Sequence, residues 1–277
     1  MIWLSVSLFS HKNQWNKLLS RAVVPFASKN AYLNGFTIEF NYLSGENIRL
    51  SLLTDEENAP ELAKLADKYF NNYFLSAGLS EQELKLPVNG IFIPFPSNTI
   101  QFGLYPPKKI TADKLDNYSL SLHFSQIMLY ALKDDVIDDE IILTFAFYLR
   151  MGLIKMASPV YPQLVNDLKS RAIPLNAVSS KTAESKINTL KFEEVKETLI
   201  EITRDIFDVD RTPHLPVWFK QWMVICKENM NKYGDEVTAS SIYIKMLSLI
   251  DTHLALSTKM DSMLTYFIDR ILLYEEL

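Results

Sequence analysis

Residues 41–53, NYLSGENIRLSLL, decide how the first half of the chain is read. Ser44-Gly45-Glu46 marks a turn. Beyond it, Ile48, Leu50 and Leu52 alternate with Asn47, Arg49 and Ser51. A period of two puts the aliphatic side chains on one face of a strand and the polar ones on the other. The polar face is either plain surface or, around Arg49, what remains of an anion-binding site. Upstream, Phe36, Ile38 and Phe40 alternate with Thr37, Glu39 and Asn41. The two segments therefore predict a β-hairpin whose loop is longer than the tightest types.

Working outward, residues 1–13, MIWLSVSLFSHKN, alternate Ile2, Leu4, Val6 and Leu8 with Trp3, Ser5, Ser7 and Phe9. They lack the basic start and small-residue cleavage site of a signal peptide. A first strand and a cytoplasmic protein are expected. Trp15, Leu18, Leu19, Ala22, Val23 and Phe26 follow at helical spacing. Another helix is expected after Asn58, with Pro60 in its first turn, an apolar stripe from Leu62 to Phe74, and Gly78 as its stop. GIFIPFP (90–96) and TIQFGLY (99–105) read as two further strands. From about Leu115 the period is helical, with helices expected near 116–133, 137–153, 192–208, 214–232, 238–255 and 258–275. The polar stretch between Ser170 and Lys191 reads as a long loop. The expected fold class is α+β. It is expected to form one domain over 1–277, with a mixed strand and helix part (1–112) and a helical part (113–277).

Composition narrows the function. The 277 residues carry a formal charge of −5, unlike the basic surface of a nonspecific nucleic-acid binder. No apolar run reaches membrane-spanning length. One cysteine, Cys226, permits neither an internal disulfide nor a multi-cysteine metal motif. It falls between Trp222 and Met230 in an apolar helical stripe, which reads as a buried, inert thiol. His11, His123, His214 and His253 have no metal-ligand spacing. KDDVIDDE (133–140) lacks the spacing and glycine of a calcium loop and reads as a solvated helix start. No Gly-rich phosphate loop or G-x-S-x-G elbow appears.

Four features recur in a particular order. The chain opens on Trp3, a hydrophobic strand and a helix. Gly45 and Arg49 lie in the hairpin, QFGL stands at 101–104, and SMLTYFIDRILL (262–273) carries Ser262, Leu264 and Arg270. With these element types between them, they resemble the elimination domain of lantibiotic dehydratases. That domain also occurs as a stand-alone thiopeptide-type bacteriocin biosynthesis protein. The resemblance spans nearly the whole chain, with departures. Relative to the family pattern, Glu39 and Gln101 replace arginines, Asn47 a histidine, and Ser51 the strand's second arginine. Thr265 and Phe267 stand at two histidine positions, and Asp269 replaces an asparagine.

The resemblance implies work on a precursor peptide whose Ser and Thr side chains have been glutamylated. A base removes the α-proton, and cationic side chains hold the departing glutamate. Stand-alone relatives instead close a pyridine ring by a formal cycloaddition. Carried over by position, the catalytic candidates are Arg49, Gln101 and Thr265, and the substrate-binding candidates Arg49 and Arg270. No cofactor or metal is implied. The implied partners are the precursor and a separate glutamylating dehydratase, with no nucleic acid and no membrane span. Thr265 is a poor base near neutral pH unless another group activates it. Tyr42, Tyr105 and Tyr266 are open alternatives for an acid or base. A second expectation is a noncatalytic subunit that binds the precursor or the dehydratase. A third is an unrelated helical α+β binding protein.

Overall fold

The computed structural model describes residues 2–30, 35–77, 94–104, 115–134, 136–168, 183–208, 210–232 and 236–274. The chain divides into two compact units. The first is Met1–Ile141 with Thr252–Ala255; the second is Ile142–Asp251 with Leu256–Leu277. The architecture is the expected α+β, with strands early and helices late.

The first unit is built on an antiparallel four-stranded sheet in the order β2-β3-β1-β4. Its strands are β1 (Ile2–Phe9), β2 (Phe36–Asn41), β3 (Asn47–Thr54) and β4 (Thr99–Phe102). The β2–β3 hairpin turns at Ser44 and Gly45, both at positive φ (59° and 122°). Glycine accepts that conformation without the strain a side chain would add. The apolar face carries Val6, Leu8, Ile38, Phe40, Ile48 and Leu50, all fully buried. Trp15 stacks on Phe40 at 4.5 Å and donates its indole N–H to the Ser10 carbonyl.

Trp15 belongs to α1 (Trp15–Leu18), which widens into a π-helical turn (Leu19–Val23) before α2 (Val24–Lys29). Pro25 has no N–H to give the preceding turn, which accounts for the wider turn ahead of it. α3 (Ala59–Ser76) places Leu62, Ala66, Phe70 and Phe74 in the core, and Phe26 packs on Phe70 at 5.0 Å. α4 (Leu115–Leu132) closes the β2 side, where the Ser125 hydroxyl accepts the Ile38 N–H at 2.9 Å. Residues 94–96 join no strand, and prolines at both ends remove the N–H groups a ladder needs. Residues 90–93 of that expected strand and the expected stop at Gly78 lie outside the described residues.

The second unit holds α5 (Asp139–Ala157) from Ile142 onward, α6 (Ala183–Phe207), α7 (Val217–Asn231), α8 (Glu236–Leu254) up to Asp251, and α9 (Thr258–Tyr274). α6 starts earlier than expected, so residues 183–191 are helix rather than loop. α7 starts later, after a 3-10 turn at Thr212–His214. Pro216 disfavours helical geometry at Leu215 and caps α7 instead. α5 and α7 meet closely: Trp222 donates its indole N–H to the Leu149 carbonyl at 2.8 Å. Cys226 is fully buried in this packing, and burial pushes its thiol well above the ordinary range.

Candidate functional site

The sheet register aligns the polar side chains of the first unit. Glu39 pairs with Arg49, Arg49 with Ser7, and Ser7 with Gln101. Directly opposed residues in an antiparallel sheet share a face. The result is one polar row across all four strands. Thr37, Ser51 and Ser5 form the next row, joined by a 2.8 Å hydrogen bond between the Ser5 and Ser51 hydroxyls. Strands lie about 4.8 Å apart, so the backbones at Arg49 and Gln101 are roughly 10 Å apart with Ser7 between. Arg49 and Gln101 thus lie in one row of the sheet, with Ser7 between them.

Arg49 is not the exposed strand arginine of the plain-surface reading. Its side chain is 12% exposed, and its Nη1 donates to Glu39 Oε2 at 2.9 Å. The Glu39 side chain is 18% exposed. Ser7 is 1% exposed, and its hydroxyl has no hydrogen-bond partner among the described residues. The row therefore has a guanidinium whose charge is met by a carboxylate of its own hairpin. The Arg49–Ser7–Gln101 line is secluded and polar, with little net charge.

In the second unit, Thr265 and Arg270 both lie on α9 but point to different sides. Five residues turn a helix through about 140°. Thr265 accepts a hydrogen bond from Arg150 Nη1 at 3.3 Å. Arg150 is buried in the middle of α5, and its Nη2 also donates to Asp251 and Asp261. Two carboxylates thus surround one guanidinium. Burial raises the Asp251 carboxyl above its ordinary range, Arg150 opposes that shift, and Asp261 adds to it. Sequence reasoning missed Arg150. Its signal is a lone arginine inside the apolar run LTFAFYLRMGLI.

Arg270 faces the other way. Its Nε donates to the Tyr266 hydroxyl at 3.1 Å, and its guanidinium lies 5.3 Å from the Tyr266 ring centre. That hydroxyl also bonds Thr189 of α6 at 3.0 Å. Phe192 packs against Tyr266, Phe267 and Tyr274. Arg270 has no ion pair among the described residues.

Of the other tyrosines, Tyr42 sits beside Lys12 in the first unit. Burial foremost, then the charges of Asp139 and Glu46, push its hydroxyl far above the ordinary range. That makes it a poor base. Tyr105 lies outside the described residues. His253 is buried against Phe124. Asp139 and Glu140 occupy the first turn of α5, and the Asp138 side chain accepts the Ile141 N–H, as a helix start requires. Among the described residues, no His, Cys, Asp and Glu side chains group to hold a metal ion, and no helix is long and apolar enough to cross a membrane.

No family model and no curated protein match the sequence. Solved structures do match. The pyridine synthase TbtD from thiomuracin biosynthesis superposes with a TM-score of 0.66 at 16% identity, over 98% of this chain and 97% of that one. The crystal structure of TsrL gives a TM-score of 0.66 at 11% identity, covering 100% of this chain and 96% of that one. The tRNA-dependent lantibiotic dehydratase MibB from Microbispora sp. 107891 gives 0.48 at 10% identity, with this chain spanning 28% of it. The chain therefore shares its fold with the thiomuracin pyridine synthase over nearly the full length of both.

Proposed function

We propose that this protein works in the biosynthesis of a ribosomally made, modified peptide of the lantibiotic or thiopeptide type. It holds a precursor peptide and lacks efficient glutamate elimination. The observation that carries this reading is the Arg49–Glu39 pair, because a guanidinium already matched by a carboxylate is a weak receptor for a departing glutamate. The shared fold and the ordered motifs support the pathway; the substitutions support the loss of chemistry.

Elimination needs a base at the α-carbon and a cation at the leaving carboxylate. An imidazole suits the first role near neutral pH. Here the matched position is Thr265, whose hydroxyl accepts a hydrogen bond from Arg150. Losing a general acid or base commonly costs about 10²–10⁴-fold in rate. Gln101 keeps hydrogen bonding without charge. Binding survives such losses, since extended peptides are held through backbone hydrogen bonds and side-chain pockets. The partners in this reading are the precursor and a separate glutamylating dehydratase, and no cofactor takes part.

A second reading keeps a lyase or cyclisation step. It rests on Tyr266, whose hydroxyl receives the Arg270 Nε–H and also bonds Thr189, so that a phenol is held in place at the end of a polar chain. Mass spectrometry of a glutamylated precursor incubated with the purified protein separates the two. The expected result is retention of the peptide with its glutamates intact. Rapid conversion to dehydroamino acids, or failure to retain the peptide at all, overturns the proposal. Conversion that Tyr266→Phe abolishes would establish the second reading.

A further inference from the structure

On α6, Thr189, Phe192 and Lys196 are spaced i, i+3 and i+7 and so share one face. On α9, Tyr266, Arg270 and Tyr274 are spaced i, i+4 and i+8 and share another. The two stripes meet along their length. Thr189 bonds the Tyr266 hydroxyl at 3.0 Å, Phe192 packs against both tyrosines, and the Lys196 ammonium lies 4.1 Å from the centre of the Tyr274 ring. Arg270 stands between the two tyrosines, with its Nε committed to the Tyr266 hydroxyl. Its two Nη groups make no hydrogen bond among the described residues, and neither Arg270 nor Lys196 has an ion pair among them. Arg49, Arg150 and Arg211 each meet a carboxylate instead. Both seam cations are half-buried and Tyr274 is 49% exposed, so the seam is open to solvent at that end.

We propose that the seam of α6 and α9 is a docking site for an acidic stretch of peptide. Arg270 and Lys196 each take a side-chain carboxylate, and the exposed Tyr274 ring receives an apolar neighbour. The outer edge of a guanidinium fits both oxygens of one carboxylate, and an ammonium meets a second as a point charge with three donors. The rings that the two cations contact are eight residues apart on α9, about 12 Å along the helix. The pair therefore suits two carboxylates spaced along a peptide rather than one small anion. Exposed Glu193, Glu194 and Glu197 on α6, with a net charge of −5, oppose a long polyanion such as RNA, which leaves a short acidic segment as the fitting partner. This rests on the precursor-binding reading above and adds where the second unit holds the precursor and by what charge.

The test uses two capped hexapeptides, one alternating glutamate with leucine and one alternating glutamine with leucine, titrated into the full chain by calorimetry near pH 7 and at low salt. The wild type is expected to bind the glutamate peptide about tenfold more tightly, with the margin shrinking as salt is raised. Lys196→Met and Arg270→Met keep the aliphatic stems. Each is expected to lower the affinity for the glutamate peptide about threefold, and both together about tenfold, with the glutamine peptide unaffected. Lys196 makes no hydrogen bond among the described residues, so Lys196→Met serves as the test even where Arg270→Met disturbs the Tyr266 contact. Equal affinity of the wild type for the two peptides, or no affinity for either, overturns the proposal without reference to any variant. So does a folded double variant with wild-type affinity, or an RNA hexanucleotide bound more tightly than the glutamate peptide. Precursor retention is measured separately. A precursor held equally by the wild type and the double variant removes this site and leaves the reading above, whereas a precursor held by neither removes that reading.

Discussion

Arg150 and Thr265, 115 positions apart, are joined by a hydrogen bond from the guanidinium to the threonine hydroxyl. Arg150 is 4% exposed at its side chain and also holds Asp251 and Asp261, from α8 and α9. One buried cation thus ties three helices of the second unit and fixes the side chain at a position where the resembled family has a histidine. Removing one partner of a buried pair commonly costs about 3–5 kcal/mol. Asp251 and Asp261 are partly exposed, so Arg150→Met is expected to cost less, about 2–3 kcal/mol, in urea unfolding. A loss below about 0.5 kcal/mol, the range of ordinary surface changes, would show that the cluster is dispensable.

The same cluster predicts a pH effect. Burial raises the folded-state carboxyl of Asp251 above its unfolded value of about 3.9. In the window above that value the folded state binds more protons than the unfolded state. Stability from this group is therefore fully present below the unfolded value and lost as pH rises through the folded one. Thermal unfolding followed from about pH 4 upward should show a falling contribution in the wild type. Asp251→Asn should flatten that part of the profile. An identical slope in the two proteins would mean that Asp251 does not titrate as described.

The two units differ in how much of them the sequence makes legible. The β2–β3 hairpin is a local feature: alternation names its faces, and the turn sets Glu39 opposite Arg49. The place of β1 between β3 and β4 is not local, and no period reveals that Ser7 lies between Arg49 and Gln101. The early start of α6 was hidden for another reason. Its first turns expose Ile187 and Leu190, so no apolar stripe marks them, and the helix there rests on helix-forming residues such as Ala183, Glu184 and Lys186. Arg150 shows the limit most plainly. A buried arginine is conspicuous in a sequence, but its carboxylates come from positions 101 and 111 residues away.

Gly152 sets the approach of α5 and α7. A Cβ there would lie 2.9 Å from the Phe219 ring and 3.3 Å from Trp222. Both aromatic residues are fully buried, and Trp222 is anchored to the Leu149 carbonyl. Gly152→Ala gains roughly 1 kcal/mol of helix propensity but overpacks a core, which commonly costs about 1–3 kcal/mol. A net loss of up to about 2 kcal/mol is expected, with a change in tryptophan fluorescence as the ring shifts. A stabilised protein with unchanged fluorescence would show that α5 and α7 have slack at this point.

The Arg49–Glu39 pair can be measured without any substrate. Exposed ion pairs couple by about 0.2–1 kcal/mol, whereas truncating one partner of a buried pair costs about 3–5 kcal/mol. With side chains 12% and 18% exposed, this pair lies between those limits. A double-mutant cycle of Glu39→Gln, Arg49→Met and both together is expected to give a coupling of about 1–2 kcal/mol. Each single substitution strands a charge that the other residue met, so the double variant should be more stable than the sum of single losses implies. Raising the salt concentration should reduce the coupling only slightly, because secluded pairs are screened less than exposed ones. A coupling near zero would mean that Glu39 and Arg49 do not neutralise each other in solution. Arg49 would then be a cation still able to receive an acidic ligand, and the proposed loss of efficient glutamate elimination would lose its main support.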